Sequence, residues 1–222
     1  MQVVGLVLLD AHVSRMKQSA LQLANEYGAP DAFAFNERTA KAAILEAVAE
    51  RIADSEHPHR VRMLLDSGGH LDIQVTREAE SPAGATLLLD QQPTDECCPT
   101  SVFIRCKTTH RPMYADAAAR LPANYLGAQV LLYNSRGEIT EGNIANVAVE
   151  MPGDDGEMRL VTPPVSAGLL PGTMRASLLE SGCIVEGRIT VDQFKHAVEQ
   201  GWSVMCMNSV RGMYKVTPVL ID

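Results

Sequence analysis

The sequence predicts a mixed α/β (α+β) chain in two domains, a small N-terminal α+β domain over residues 1–105 and a larger, β-rich α/β domain over residues 106–222. Three observations lead to that reading. Apolar residues recur at helical spacing in two long N-terminal segments, alternate with period two in a hairpin that follows them, and fall into short runs broken by turn residues in the second half. The chain of 222 residues suits one large domain or two small ones.

In chain order, Val3 to Leu9 reads as a strand, and Asp10 caps a helix from His12 to Tyr27. Its apolar face holds Val13, Met16, Ala20, Leu23 and Ala24, and Gly28-Ala-Pro30 ends it. A second helix covers 37–53 with Ala40, Ile44, Leu45, Val48 and Ile52 on one face. Arg60 to Leu65 and Leu71 to Val75 pair as a hairpin across the turn Asp66-Ser-Gly-Gly69. Ala85 to Leu89 is a strand, Gln91 to Thr100 an acidic loop, and Ser101 to Ile104 a short buried strand. The second half opens with a helix over 113–121. Strands then cover 130–133, 138–141, 147–150 and 158–162, with turns at Asn134-Ser-Arg-Gly137 and Asp154-Asp-Gly156. A helix starts just after Pro171 and runs to Ser181, Ile184 to Arg188 is a strand, and Val191 to Gln200 is a helix. Ser203 to Met207 and Tyr214 to Ile221 close the chain as strands.

Composition narrows the function. Net charge is −8 with no cluster of lysine or arginine, which argues against a nucleic-acid surface, while a few local arginines can still hold a small anion. The five cysteines, Cys97, Cys98, Cys106, Cys183 and Cys206, are odd in number and show no CxxC spacing, so neither a disulfide framework nor a metal site is indicated. The apolar opening is too short to span a bilayer and lacks the basic start of a signal peptide, so a cytoplasmic protein without a membrane partner is expected.

Among the five lysines, Lys17, Lys41 and Lys195 fall on polar faces of helical patterns. Lys107 instead ends the apolar run from Ser101 and is flanked by Arg105 and Arg111, so desolvation and like charge would favour a neutral, nucleophilic amine. A purely structural lysine is the alternative. Glu141 stands between a strand and a glycine, either as an exposed turn residue or as the acceptor for a protonated ring nitrogen. Gly172-Thr-Met174 opens a helix, where N–H groups either are simply capped or hold a phosphate. Asn208-Ser-Val-Arg-Gly212 is a polar turn or a second donor-rich loop.

Taken in order, Lys107-Thr-Thr-His-Arg-Pro-Met-Tyr114, the string from Tyr133 to Asn146, Leu169-Leu-Pro-Gly-Thr-Met-Arg175 and Asn208-Ser-Val-Arg-Gly212 resemble the signature of the class IV, fold-type IV pyridoxal-phosphate enzymes. Arg15 resembles that family's early arginine, and the lysine-to-glutamate separation is close to the family's. The resemblance covers most of the chain from Leu8. It implies two domains with pyridoxal 5'-phosphate in the cleft between them, and a homodimer. Lys107 would carry the cofactor as a Schiff base and shuttle the proton, and Glu141 would hold the pyridinium nitrogen. Arg15, with the N–H groups of Thr173, Met174, Ser209 and Val210, would bind the phosphate. Tyr114 is a weaker candidate for the cofactor's phenolic oxygen, Arg111 and Arg211 would meet a substrate carboxylate, and Asn146 would brace the loop carrying Glu141. The family's first strand-turn-strand segment has no counterpart ahead of Leu8, so the small domain is expected to be shortened.

The Lys-Thr-Thr-x-Arg-x-x-Tyr and Asn-Ser-Val-Arg-Gly strings look most like the aminodeoxychorismate lyase branch, which eliminates pyruvate from 4-amino-4-deoxychorismate to give 4-aminobenzoate for folate synthesis. An aminotransferase for branched-chain or other small amino acids is the alternative, and a non-catalytic truncated relative is a second. In each enzyme reading the partner is a small amino-acid-like carboxylate.

Overall fold

The computed structural model describes residues 5–52, 57–78, 84–94 and 101–221. By internal contacts it divides into two compact units, Met1–Glu80 and Ser81–Asp222.

In the first unit, α1 (Leu9–Glu26) and α2 (Glu37–Arg51) precede an antiparallel hairpin of β1 (His59–Leu65) and β2 (Leu71–Arg77). Asn36 caps α2 by accepting from the Thr39 N–H at 3.0 Å. The hairpin turn is held by Asp66, whose carboxylate accepts from the N–H groups of Gly68 and His70. Gly69 sits at φ +83, a conformation side chains disfavour, so the turn needs glycine there. Val13, Ile44 and Val48 form the centre of this unit's core against Val61, Met63, Ile73 and Val75 of the hairpin. Two expectations change. Of the predicted first strand, Gly5 to Leu8 is coil and turn and Leu9 begins α1, while Val3 and Val4 lie outside the described residues. Leu45, expected on the apolar face of α2, is 48% exposed.

The second unit contains β3 (Thr86–Leu89), α3 (Val102–Arg105), α4 (Pro112–Ala119), β4 (Gln129–Tyr133), β5 (Ile139–Gly142), β6 (Asn146–Pro152) and β7 (Met158–Thr162). It continues with α5 (Thr173–Glu180), β8 (Val185–Glu186), α6 (Val191–Glu199), β9 (Val204–Asn208), β10 (Gly212–Lys215) and β11 (Thr217–Val219). One sheet runs β11-β3-β4-β5 and another β10-β9-β6-β7-β8. The pleat sorts the side chains of each strand to opposite faces. Leu131 of β4 and Val147 and Val149 of β6 point into a shared core with Phe194 and Ala197 of α6. Val130 and Leu132 point away, against Ile104 of α3 and Met113, Tyr114 and Ala117 of α4. Ala148 and Met207 face Ile184 and the apolar side of α5. The unit is thus layered as helix, sheet, sheet, helix, with the capping box of Thr190 and Gln193 fixing the start of α6.

Here too the structure departs from the sequence reading. β3, assigned to the first half by a division at residue 105, pairs in parallel with both β4 and β11 and belongs to the second unit. Residues 102–105 form a helical turn rather than a strand. The predicted closing strand is two strands, β10 and β11, in different sheets. Asp95 to Thr100 of the predicted loop, with Cys97 and Cys98, lie outside the described residues, as does Ala53 at the end of the second predicted helix.

Candidate active site

Glu141 is the centre of the site. It lies on β5, is buried at 5% exposure, and is not the exposed turn residue the sequence allowed. Its Oε1 accepts from the Tyr114 hydroxyl at 2.6 Å and from the Leu170 N–H at 3.1 Å. Its Oε2 accepts from Asn146 Nδ2 at 3.1 Å, and the same amide nitrogen donates to the Leu170 carbonyl at 2.9 Å. Burial raises the carboxyl pKa from 4.5 to about 7, opposed by the hydrogen bonds from Tyr114 and Leu170 and by the positive charges of Lys107 and Arg111. Two oxygens offer about four acceptor positions and three are used, so Oε2 retains capacity for one more donor.

Asn146, expected as a brace for the loop, touches the carboxylate itself. A Cβ on Gly172 would overlap Asn146 Oδ1, so only glycine lets the start of α5 approach this closely.

Tyr114 comes from the first turn of α4, which begins with Pro112 at its first position. Its hydroxyl is donated to Glu141, and the Arg111 guanidinium lies 4.1 Å from its ring centroid. Arg111 also donates to the Asn143 carbonyl. Lys107 sits on the segment between α3 and α4 and is exposed, which corrects the expectation of a lysine ending a buried strand. The case for a neutral amine made from burial therefore does not hold for the chain by itself.

Thr173 and Met174 open α5, whose N-cap is Gly172, a residue with no side chain to accept from the first turn. Thr173 is buried, and its Oγ1 lies 2.8 Å from Ser209 Oγ, joining the helix start to the turn after β9. In that turn the N–H groups of Val210 and Arg211 both donate to Asn208 Oδ1, so the Val210 N–H is engaged within the turn. Arg211 lies 5.8 Å from the Tyr214 ring centroid. The second unit therefore brings Glu141, Tyr114, Arg111 and Lys107 together electrostatically, and joins Thr173 to Ser209. Arg15 belongs to the first unit, on α1, where its guanidinium lies 3.4 Å from His12 Nδ1 and burial lowers its pKa.

A family profile for class IV amino-transferases matches residues 4–219, nearly the whole chain. The chain belongs to the class IV aminotransferase family. It is 36% identical over 216 residues to a Schizosaccharomyces pombe protein named "Putative aminodeoxychorismate lyase", a match covering 95% of this chain and 83% of that one. It is 34% identical over 145 residues to the aminodeoxychorismate lyase of Saccharomyces cerevisiae, covering 60% of this chain and 38% of the relative. The crystal structure of a "Putative amino-acid aminotransferase" from Mesorhizobium loti superposes with a TM-score of 0.73 at 28% identity, covering 96% of this chain and 91% of the other. The mixed α/β architecture is thus that of fold-type IV enzymes. Among the described residues, no helix is long and apolar enough to cross a membrane.

The signals for Leu170 and Asn146 were within reach of the sequence only as members of the family strings. Nothing local marks a backbone N–H 29 residues from Glu141 as its partner.

Proposed function

We propose that this chain is a pyridoxal-phosphate-dependent lyase that releases pyruvate from 4-amino-4-deoxychorismate to leave 4-aminobenzoate. The donor and acceptor chemistry fits the cofactor. A buried carboxyl with one acceptor position to spare suits a protonated ring nitrogen, and that cation would hold Glu141 ionised where burial alone does not. The uncapped start of α5, next to the Thr173 and Ser209 hydroxyls, suits the phosphate. Bound there, the cofactor would supply an electron sink for the substrate carbon that loses its proton.

The chain's own groups would do the rest. Glu141 Oε2 would accept from the ring nitrogen, with Asn146 and Leu170 holding the carboxylate in place. Tyr114, its hydroxyl on Glu141 and its ring under Arg111, fixes one side of the site, and its assignment to the phenolic oxygen requires that hydroxyl to turn from Glu141. Thr173, Met174 and Ser209 would hold the phosphate, whereas Val210 would do so only by giving up its bond to Asn208. Arg15 enters through its match to the family motif. The Lys107 amine, exposed and on a flexible stem, would take the proton at Nζ, and the ammonium so formed would return it. Arg111 and Arg211 would meet the two substrate carboxylates. A cytoplasmic homodimer is proposed with the same reading.

The buried, three-bonded Glu141 carries the cofactor assignment, and the 36% identity over 95% of the chain supports the lyase branch. The 28% identity to an amino-acid aminotransferase favours amino transfer as the second reading. Supplying the cofactor-loaded protein with 4-amino-4-deoxychorismate separates the two. Equimolar pyruvate and 4-aminobenzoate are expected. Glutamate formed from 2-oxoglutarate and a branched-chain amino acid, without pyruvate release, would establish the aminotransferase instead, and neither product would leave a non-catalytic relative. Light scattering coupled to gel filtration tests the dimer.

A further inference from the structure

Residues 163–172 run from β7 to α5 as an irregular strap, with one 3₁₀ turn at Val165–Ala167. The strap serves both ends of the proposed cofactor site. Its Leu170 N–H donates to Glu141 Oε1, and its last residue, Gly172, is the N-cap of α5. Backbone outside a sheet or helix has to find its hydrogen bonds elsewhere, and here side chains supply them, each at one carbonyl of the strap. Arg175 donates to the Pro163 carbonyl at 2.7 Å, Arg136 to that of Ser166 at 3.2 Å, Asn134 to that of Ala167 at 2.8 Å and Asn146 to that of Leu170 at 2.9 Å.

Two of these side chains, Asn134 and Arg136, belong to the turn between β4 and β5, just ahead of the strand that carries Glu141. Asn134 is 2% exposed and its amide is fully used. Nδ2 donates to the Glu138 carboxylate at 2.9 Å as well as to Ala167, while Oδ1 accepts from the N–H groups of Arg136 and Glu138 at 3.0 and 3.1 Å. Glu138 is buried too, and accepts from the Nε atoms of Arg136 and Arg188, each at 2.9 Å. A network of charge-assisted bonds, satisfied on every side, fixes the turn in one geometry. Between Ala167 and Leu170 the strap has little slack. Gly168 sits at φ +100, Leu169 is fully buried, and Pro171 follows with its φ fixed by its ring. Neither Asn134 nor Arg136 is a hydrogen-bond partner of Glu141, so both reach it only through the strap.

We propose that Asn134 and Arg136 are positioning residues of the cofactor site. By gripping the Ala167 and Ser166 carbonyls they fix the strap, hold the Leu170 N–H on Glu141, and set the distance between that carboxylate and the start of α5. One turn thereby governs the two groups that would meet opposite ends of the cofactor, its ring nitrogen and its phosphate. The inference rests on the pyridoxal-phosphate reading for the meaning of those two ends, while the grip on Glu141 is a property of the chain itself.

The test is the melting temperature of the chain free of pyridoxal phosphate against pH, in the parent and in Asn134→Ser. The serine oxygen keeps an acceptor for the N–H groups of the turn but ends one bond short of the Ala167 carbonyl. Burial raises the Glu141 pKa and the Leu170 N–H opposes the rise, so a slackened strap should lift the folded value further above the unfolded one. Stability then goes on falling to higher pH before it levels. The deficit of the variant should grow between about pH 6 and pH 9, with the levelling displaced upward by about half to one unit. Lys107, Arg111 and Tyr114, which also face Glu141, are the same in both chains. Glu138 is held below the usual carboxylate range by Arg136 and Asn134, so it titrates below this window and offsets the curve equally across it. In a Glu141→Gln background the deficit of Asn134→Ser should be flat with pH. Arg136→Gln, at a half-exposed side chain, should show the same trend more weakly and serves if Asn134→Ser does not fold. A deficit flat with pH in the folded variant, or one that grows equally in the Glu141→Gln background, would overturn the inference. Spectroscopic titration with pyridoxal phosphate separates the two readings. A growing deficit in a chain that binds no cofactor upholds the grip on Glu141 and defeats the cofactor reading, and cofactor binding with a flat deficit does the reverse.

Discussion

Replacing Glu141 by glutamine should change the sign of its effect on stability with pH, in protein free of pyridoxal phosphate. Burial lifts the carboxyl pKa from 4.5 to about 7. Between those values the folded chain keeps a proton that the unfolded chain has released, so stability falls as pH rises through that window. At pH 8 the rise corresponds to a cost of about 3 kcal/mol, at about 1.4 kcal/mol per unit. Glutamine removes that cost. Its oxygen can still accept from Tyr114 and Leu170, but its amide nitrogen meets Asn146 Nδ2, donor against donor, and one hydrogen bond worth about 1 kcal/mol is lost. The variant should therefore be more stable than the parent by about 2 kcal/mol at pH 8, equal near pH 5, and less stable by about 1 kcal/mol at pH 4. For a chain of this size each kcal/mol moves the melting temperature by about 2–4 °C, so calorimetry should show a gain of about 4–8 °C at pH 8. A variant destabilised equally at pH 4 and pH 8 would refute the buried, partly protonated carboxyl.

Other substitutions probe the same frame. Gly172→Ala drives a methyl group into Oδ1 of Asn146, a residue whose Nδ2 donates to both Glu141 and the Leu170 carbonyl, and should cost about 1–3 kcal/mol in denaturant melts along with cofactor affinity. Asn146→Ala takes a donor from the ionised form of Glu141, so cofactor binding, followed spectroscopically against pH, should need a more alkaline medium than in the parent. Thr173→Ala and Ser209→Ala should each weaken binding of the phosphorylated cofactor while leaving that of unphosphorylated pyridoxal little changed, as read by equilibrium dialysis. Arg15→Gln should weaken the cofactor by roughly tenfold to a hundredfold if its charge meets the phosphate.

Much of the architecture was written locally in the chain. The β1–β2 hairpin follows from alternating apolar residues around Asp66-Ser-Gly-Gly69, and the two N-terminal helices follow from their periodic apolar faces. What failed was the reading of short apolar runs, where periodicity cannot separate a strand from a helical turn. Ser101 to Ile104 was one such run, and Gly5 to Leu8 another. The split of the last strand was also hidden, because β10 pairs with β9 and β11 with β3, partners set by the tertiary fold rather than by any local pattern. The site shows the same division. Glu141, Thr173 and Ser209 could be picked from ordered motifs, but the burial of Glu141 depends on Tyr114 and Leu170, brought in by separate elements.

The most direct measurement is the visible absorption of the purified chain titrated with pyridoxal phosphate, beside Lys107→Ala. A saturable protein-bound band is expected in the parent and not in the variant, with both proteins folded by circular dichroism. No band in either protein, or the same band in both, would contradict the assignment of Lys107 and of the cofactor site around Glu141.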